Sequence, residues 1–290
     1  MKKTILILLH KNEEDFLSSS FTIRFLKTEW ERLGLVVKVA YGTDDEIKAD
    51  IVINHVDLSV VPDEYINFLN RYPVVLNQKV RDISKTIFSE NIIYRNSRYP
   101  GKVILKTNAN YGGEKERLLR KGDQTAFSLY ERICSRFNAF LKNYTWWNVK
   151  TIKSKNYPVF DSVQDLPRGV WKNKHLIVEK FIPEIDPGGK YRLRAWSFLG
   201  DRSLNVLTTA STPIIKGSTI EKREILSDAV PEKLIRIRRQ LGFDYGRFDY
   251  VLLNGEAVLY DVNRTPTTSS KALETYAHEL KDLAKGIFCF

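Results

Sequence analysis

Short apolar runs alternate with segments of helical periodicity over the first 78 residues. Residues 5–9 form a continuous apolar run, which is typical of a strand buried in a parallel sheet. The elements predicted after it are helix 21–33, strands 35–40 and 51–54, helix 62–69 and strand 74–76. This order predicts a small open α/β sheet, whose ligands bind beyond the carboxyl ends of its strands. His10 and the pair Asn54-His55 stand at such ends, either as site residues or as ordinary exposed loop residues.

A lysine interrupts an apolar strand predicted at residues 103–108. This residue, Lys106, needs an anionic partner or must extend to solvent, because burying an unpaired ammonium group is costly. Gly112-Gly113 follows in a predicted flexible loop, and the backbone N–H groups of such a loop can approach phosphate oxygens closely. Lysine and loop together predict a phosphate site. The chain has neither a GxxxxGK[ST] P-loop nor a GxGxxG dinucleotide fingerprint.

Strands dominate the chain from residue 191 onward, with runs at 191–199 and 204–210 and a basic helix predicted at 231–241. Arg192 and Arg194 are two residues apart on the first strand, so they share one face. Paired guanidinium groups form rigid clamps for phosphate or carboxylate. A solvated edge of the sheet is the alternative explanation for this pair.

The most informative segment is a predicted hairpin that turns at Asn254-Gly255. Each of its apolar strands carries one carboxylate, Asp249 and Asp261, and Asn263 shares the face of Asp261. Pairing around this turn would place Asp249 across from that couple. Two carboxylates and an amide oxygen suit a magnesium ion that also holds nucleotide phosphates. An ordinary surface hairpin is the alternative, and it is weakened because unpaired carboxylates are costly inside apolar strands.

Composition limits the class of protein without identifying it. The 290 residues carry a formal net charge of +11, so the chain should attract a nucleotide, an anionic substrate, an acidic polymer or nucleic acid. A hydrophobic content of 43% excludes an intrinsically disordered chain. The two cysteines, Cys134 and Cys289, provide neither a disulfide framework nor a zinc site. The apolar N-terminal run is too short for a signal peptide, and no stretch approaches the ~20 apolar residues of a membrane span. A cytoplasmic protein is therefore predicted.

The order of these motifs resembles the ATP-grasp superfamily, which includes D-alanine–D-alanine ligase, glutathione synthetase and the ribosomal-protein glutamate ligases. The motifs are a lysine strand with a glycine loop, Glu179-Lys180-Phe181-Ile182, an arginine strand, Arg-x-Asp and Asp-x-Asn-x-x-Pro. The resemblance implies an α/β fold that is α+β in the nucleotide domain. The domains expected are a pre-ATP-grasp domain at 1–78, a central subdomain at 79–180 with an insertion at 114–156, and a C-terminal subdomain at 181–290.

The resemblance also implies which residues bind ATP. Lys106 would hold the phosphates beneath the loop of Gly112 and Gly113, with Lys85 as the earlier nucleotide lysine. Glu179 would accept the adenine amino group. The residues that would line the base are Lys180, Phe181 and Ile182. The acid that usually holds the ribose is replaced by Lys190, which leaves Glu184 or Asp186 for that role.

Metal and phosphoryl-transfer roles are implied for the C-terminal strands. Asp249, Asp261 and Asn263 would bind two Mg²⁺ ions, with Mn²⁺ as an alternative, although the family often has Glu at the position of Asp261. Arg192 or Arg194 would stabilise the transferring phosphoryl group or an acylphosphate.

The function implied is an ATP-dependent carboxylate–amine ligase that works through an acylphosphate and acts on an anionic small molecule or peptide. A kinase that phosphorylates a hydroxyl at the same site is one alternative. A nucleotide- or nucleic-acid-binding module is another, and it is disfavoured because binding alone needs fewer carboxylates that can ligate a hard cation. We expect no membrane partner and no nucleic acid, and a homodimer is left open.

Overall fold

The structure is a computed structural model that describes residues 2–13, 16–119, 146–215 and 217–290. The spacing of apolar residues at 125–141 predicts a helix, and this segment lies outside the described residues, as does most of the insertion predicted at 114–156. The chain divides into two compact units, of which the larger comprises Met1–Ile83 with Glu184–Phe290 and the smaller comprises Ser84–Pro183.

The larger unit begins with a parallel sheet and two helices. Its first elements are β1 (Thr4–Leu9), α1 (Thr22–Arg32), β2 (Val36–Tyr41), β3 (Ile51–Asn54), α2 (Asp63–Leu69) and β4 (Val75–Leu76). The strand order is β2-β1-β3-β4, and each adjacent pair is parallel. Residues 5–9 of β1 and all of β3 are buried, so these strands cannot alternate between apolar and polar positions. The predicted open α/β sheet is confirmed.

Within residues 84–119 and 146–183, the smaller unit forms a three-stranded antiparallel sheet of order β6-β5-β7. Its elements are α3 (Lys85–Phe88), β5 (Val103–Thr107), α4 (Glu114–Leu119), β6 (Val159–Phe160) and β7 (Leu176–Lys180). Leu105 and Val178 oppose each other across β5 and β7 and belong to the core of this unit. Ile104 and Glu179 form the next opposed pair, so Glu179 and Lys106 lie on the other face of the sheet.

The larger unit ends with an antiparallel sheet and three helices. These elements are β8 (Glu184–Ile185), β9 (Tyr191–Leu199), β10 (Arg202–Ala210), β11 (Ile220–Ile225), α5 (Glu232–Leu241), β12 (Tyr245–Leu253), β13 (Glu256–Asn263), α6 (Ser270–Thr275) and α7 (Ala277–Ala284). The strand order is β11-β10-β9-β12-β13, with β8 paired to β9. None of the helices that the structure describes combines the length and the apolar character needed to cross a membrane.

One hydrophobic core joins the two sheets of the larger unit. Leu199 of β9 and Tyr245 of β12 belong to the same buried cluster as Ile5 and Trp30. The Trp30 indole N–H donates to the carbonyl of Ala284 at 2.8 Å, which satisfies its only polar atom inside this core. The start of β12 is thereby packed in the same core as the parallel sheet.

The turn of the hairpin has the backbone conformation that its sequence predicts. Asn254 and Gly255 both have positive φ angles, 51° and 85°. Two consecutive positive φ angles define a type I′ turn, whose twist matches that of the paired strands. This turn sets the register of β12 against β13 from the pair Leu253 and Glu256 as far as the pair Tyr250 and Leu259.

Candidate active site

The hairpin brings the two predicted metal-binding carboxylates together. Asp249 stands directly opposite Asp261, and Arg247 stands opposite Asn263. Directly opposed residues of an antiparallel pair share a face, so all four side chains lie on one face of the sheet. The residues between them, such as Phe248, are buried on the other face.

A β-bulge lies beside the carboxylates. Asp249 pairs with Asp261, whereas the next residue, Tyr250, pairs with Leu259, so β13 contains one extra residue at Tyr260. A bulge of this kind bends the strand and redirects neighbouring side chains. The irregularity of the hairpin is thus located at the acidic pair.

Arg247 is a site residue to which the sequence analysis assigned no role. Its Nε lies 2.9 Å from Asp249 Oδ1, and its Nη2 donates to Asp249 Oδ2 at 3.2 Å. The Asp249 carboxylate raises the pKa of Arg247 against the opposing effect of burial, and the charge of Asp261 raises it further. The Arg-x-Asp spacing carries this signal, because residues two apart on a strand share a face.

Asn263 is held by the segment that follows β13. Its Oδ1 accepts the backbone N–H of Thr265 at 2.8 Å, and the Thr265 hydroxyl oxygen lies 3.3 Å from the same atom. The Thr265 hydroxyl donates to Asp57 Oδ1 at 2.5 Å. The amide oxygen of Asn263 therefore has a defined orientation at the end of the acidic face.

The donor set of this face fits magnesium bound together with a nucleotide. Within the described residues, no group of three or more His, Cys, Asp or Glu side chains is placed to hold a metal. The available donors are Asp249, Asp261 and the amide oxygen of Asn263, with Arg247 already bonded to Asp249. Mg²⁺ typically takes one or two carboxylates and completes its octahedron with phosphate oxygens and water. Such a set is sufficient for Mg²⁺ when phosphates supply the remaining ligands.

The fold does not bring Arg192 and Arg194 to the acidic face. Across β9 and β12, Asp249 opposes Ala195 whereas Arg194 opposes Tyr250, so the two predicted arginines lie on the opposite face of this sheet. Arg194 is only 8% exposed, so a solvated edge does not describe it. The catalytic role of these two arginines stays a prediction.

Both arginines are paired with the acids considered for the ribose. Arg194 forms an ion pair with Glu184, which also accepts the backbone N–H of Leu252 at 2.6 Å. Arg192 Nη2 lies 3.4 Å from Asp186 Oδ2. These contacts give the carboxylates a structural function in the β8–β9 hairpin, and ribose binding by Glu184 or Asp186 stays a prediction.

The smaller unit brings the predicted phosphate lysine and the predicted adenine acid into direct contact. Lys106 Nζ lies 2.6 Å from Glu179 Oε2, and the two side chains are 13% and 3% exposed. The other carboxylate oxygen of Glu179 accepts the Ser89 hydroxyl at 2.5 Å. Of the two alternatives for Lys106, the structure therefore shows an anionic partner.

Lys85 begins α3 and is buried close to the end of β5. Its backbone N–H donates to the carbonyl of Asn108 at 3.0 Å, and the next N–H, that of Thr86, donates to Asn108 Oδ1 at 3.0 Å. The chain then passes Ser89 and pairs with β7, where the N–H of Lys180 donates to the carbonyl of Asn91 at 2.8 Å. The segment from Lys85 to Asn91 thus connects the ends of β5 and β7.

The hinge, which is the segment Lys180 to Ile182 predicted to line the adenine base, uses part of its backbone for hydrogen bonds within the smaller unit. The N–H of Phe181 donates to the carbonyl of Lys102 at 2.9 Å, in addition to the bond made by Lys180. The Lys180 ammonium lies 5.5 Å from the centre of the Tyr99 ring, within the range of a cation–π contact. Phe181 and Ile182 are half-buried, and their contact with the base stays a prediction.

The glycine loop is packed rather than open. Gly112 and Gly113 have φ angles of 68° and 73°, and the Ile152 N–H donates to the carbonyl of Gly112 at 3.1 Å. A Cβ on Gly112 would lie 2.2 Å from the carbonyl oxygen of Ile152, and one on Gly113 would lie 2.7 Å from that of Lys150. Close backbone approach therefore accounts for both glycines, whose role in phosphate binding stays a prediction.

His10 and His55 stand at the carboxyl ends of β1 and β3, as predicted, but both are buried. His10 stacks on Tyr65 with ring centres 5.6 Å apart. His55 meets the edge of Phe21 at 4.9 Å and stacks near Tyr245 at 6.3 Å. The interpretation of these histidines as exposed loop residues is wrong, because neighbouring aromatic rings cover them.

No protein-family model and no curated protein sequence matches the chain. The ATP-grasp ligase PsnB, complexed with a minimal precursor, is 8% identical with a TM-score of 0.54, over 99% of this chain and 98% of that one. Macrocyclase MdnC bound with precursor peptide MdnA, from Microcystis aeruginosa MRC, is 11% identical with a TM-score of 0.49, over 97% and 98%. D-Alanine–D-alanine ligase from Bacillus anthracis is 9% identical with a TM-score of 0.48, over 99% and 96%.

The match with PsnB shows that this chain has the ATP-grasp fold. The fold class predicted from the order of the motifs is thereby confirmed.

Proposed function

We propose that this protein is a magnesium-dependent carboxylate–amine ligase that activates a carboxylate with ATP. The observation that carries the proposal is the acidic face of the C-terminal hairpin, where Asp249 opposes Asp261 and Arg247 opposes Asn263. A guanidinium group beside oxygen ligands for a cation is suited to phosphoryl transfer, because both neutralise charge on the transferring group.

In the smaller unit, Lys106 and Glu179 act on the nucleotide. Their contact at 2.6 Å supports this assignment, since phosphate can replace the carboxylate as the partner of Lys106. Glu179 then accepts the adenine amino group. Lys85 adds a second ammonium group toward the phosphates, and the hinge residues Lys180 to Ile182 line the base.

In the larger unit, Asp249, Asp261 and Asn263 hold the metal. Mg²⁺ supplies charge neutralisation to the phosphate oxygens when it is bound. Arg247 is the arginine that we assign to the transferring phosphoryl group, since it shares the face of the three ligands whereas Arg194 does not. An arginine stays a cation in proteins, so Arg247 can neutralise charge on that group throughout the reaction.

The reaction proceeds in two steps. A carboxylate oxygen of the substrate attacks the γ-phosphorus of ATP, the bond from that phosphorus to the β–γ bridging oxygen breaks, and ADP leaves. An amine then attacks the acyl carbon of the acylphosphate, the bond from carbon to the phosphate oxygen breaks, and phosphate leaves with that electron pair. The proton lost from the amine passes to solvent, and an amide remains.

We infer that the substrate is anionic and is a peptide or a small molecule. The formal net charge of +11 supports an anionic partner because it favours encounter with negative charge. PsnB, which shares the fold, is complexed with a minimal precursor. That complex supports testing larger precursors together with small carboxylates.

The test is an incubation of the protein with ATP, Mg²⁺ and a pool of carboxylates, amines and acidic peptides, read by mass spectrometry. We expect ADP, phosphate and a product that has lost one water relative to its two substrates. Asp261→Ala should abolish ADP release, whereas the exposed Glu256→Ala at the other end of β13 should not. A product that keeps a stable phosphate ester would indicate a kinase instead. ATP binding without turnover across the whole pool would indicate a binding module.

A further inference from the structure

A side chain of the parallel sheet region contacts the segment that follows the acidic face. Asp57 follows β3 in the chain, and its Oδ1 accepts the Thr265 hydroxyl at 2.5 Å. Thr265 is buried and donates its backbone N–H to Asn263 Oδ1 at 2.8 Å. Thr265 thus contacts both Asp57 and the proposed metal ligand Asn263.

A buried arginine holds this arrangement in place. Arg264 is fully buried, and its Nη1 donates to the carbonyl of Val80 at 2.7 Å. Its Nη2 donates to the carbonyl of Val56 at 3.0 Å and also to that of Leu58. Because these two carbonyls flank Asp57 in the chain, the backbone of Asp57 is fixed relative to β13.

The proton of the Thr265 hydroxyl has two oxygens within reach, Asp57 Oδ1 at 2.5 Å and Asn263 Oδ1 at 3.3 Å. A hydroxyl has one proton to donate, and an ionised carboxylate is only an acceptor. Hydrogen bonds to a carboxylate are shorter and stronger than neutral ones, so Asp57 takes the proton. The amide oxygen of Asn263 can accept twice, and the Thr265 N–H uses one of its two positions.

We propose that Asp57 is a positioning residue for the metal site. By accepting the Thr265 hydroxyl proton, it keeps the second acceptor position of Asn263 Oδ1 open to Mg²⁺. This inference rests on the proposed function, in which Asn263 is a metal ligand. Partners of this kind outside the ligand set typically change metal affinity by 10–100-fold.

The proposal predicts an unusual pattern in paired variants. In Asp57→Asn, the introduced amide can donate to the Thr265 hydroxyl oxygen, so the hydroxyl proton turns toward Asn263 Oδ1 and competes with the cation. Metal affinity should fall about tenfold. In Asp57→Asn with Thr265→Val, no hydroxyl remains to compete, so the affinity should return to that of Thr265→Val alone. In Asp57→Asn with Thr265→Ser, the hydroxyl remains and the affinity should stay low.

The readout is Mn²⁺ binding by electron paramagnetic resonance in the presence of a non-hydrolysable ATP analogue, which requires no turnover. Circular dichroism melting without metal checks that each variant folds. Asp57→Ala also removes the acceptor and should give the same loss if Asp57→Asn is unstable. Thr268→Val is the matched control, because it removes a hydroxyl bonded to Thr22 at 2.7 Å on the same segment. It should leave Mn²⁺ affinity unchanged.

Failure of this inference is distinguishable from failure of the proposed function. If Asp261→Ala binds Mn²⁺ as the wild type does, the metal site itself is wrongly assigned, and the positioning role of Asp57 is then also wrong. If Asp261→Ala loses Mn²⁺ but both Asp57 variants retain it, only the positioning role is overturned. It is equally overturned if Thr265→Val fails to restore affinity to Asp57→Asn, because Asp57 would then act through another contact.

Discussion

The contact between Lys106 and Glu179 provides a sharp test of how the smaller unit is built. Glu179→Gln keeps the shape of the side chain and removes its charge. Lys106 would then lose its carboxylate partner at 2.6 Å while both side chains stay largely buried. We expect the free energy of unfolding to fall, because a buried ammonium group that loses its carboxylate partner is destabilised.

The size of the expected loss of stability in Glu179→Gln follows from the burial of the Lys106–Glu179 ion pair. Removing one partner of a buried ion pair typically costs about 3–5 kcal/mol. The glutamine oxygen can still accept from either Ser89 or Lys106, which lowers the expected loss to about 2–3 kcal/mol. Asp161→Asn is the matched control in the same unit, because Asp161 lies 2.7 Å from Lys102 while these side chains are 83% and 61% exposed. Exposed pairs contribute little, so we expect no measurable change in this variant.

The assay is urea unfolding without nucleotide, followed by tryptophan fluorescence and circular dichroism. A saturating non-hydrolysable ATP analogue should stabilise the wild type more than Glu179→Gln, because the variant lacks the acceptor proposed for the adenine amino group. Equal losses for Glu179→Gln and Asp161→Asn would refute the argument from burial. Equal stabilisation of both proteins by the analogue would refute the nucleotide role of Glu179 and leave the ion pair as a structural one.

We also predict the effects of substitutions on the acidic face, at Arg194 and in the glycine loop. Arg247→Lys should lower kcat at least tenfold, since a lysine cannot reproduce two parallel donors toward Asp249 and the phosphoryl group, and steady-state kinetics would show it. Arg194→Lys should act mainly on stability. A loss of kcat without a loss of stability would instead favour Arg194, one of the two arginines predicted from the sequence, as the catalytic residue. Gly112→Ala should destabilise the protein by about 2–3 kcal/mol, because a clash with the Ile152 carbonyl adds to the strain of a positive φ angle. Gly189→Ala has a similar φ angle with open space around it, so thermal melting should show the smaller loss.

The elements of the fold follow from local patterns in the chain. The continuous apolar run at residues 5–9 identified β1, because a strand buried on both faces is made mostly of apolar residues. The Asn254-Gly255 turn identified the hairpin and predicted that Asp249 would lie across from the couple Asp261 and Asn263 near its open end. The turn sets the register only as far as Tyr250 and Leu259, and without the bulge at Tyr260 the same register would pair Asp249 with Tyr260. The bulge therefore decides that Asp249 meets Asp261.

Site residues that depend on pairing between distant strands were harder to place. Strand alternation shows that Arg192 and Arg194 share a face, but it does not say which face of the sheet that is relative to Asp249. The register of β9 against β12 decides this, and it places Arg194 opposite Tyr250. Arg247 was accessible from the Arg-x-Asp spacing, because alternation alone puts it beside Asp249.

Local sequence therefore specified the elements, the turn of the hairpin and the order of motifs that characterises the ATP-grasp fold. Tertiary structure alone decided the partners of the charged side chains, as for Lys106 with Glu179 and for Asp57 with Thr265. The physical reason is that secondary structure and turns depend on backbone preferences over a few residues. The partner of a buried charge depends on which distant strands the hydrophobic core packs together.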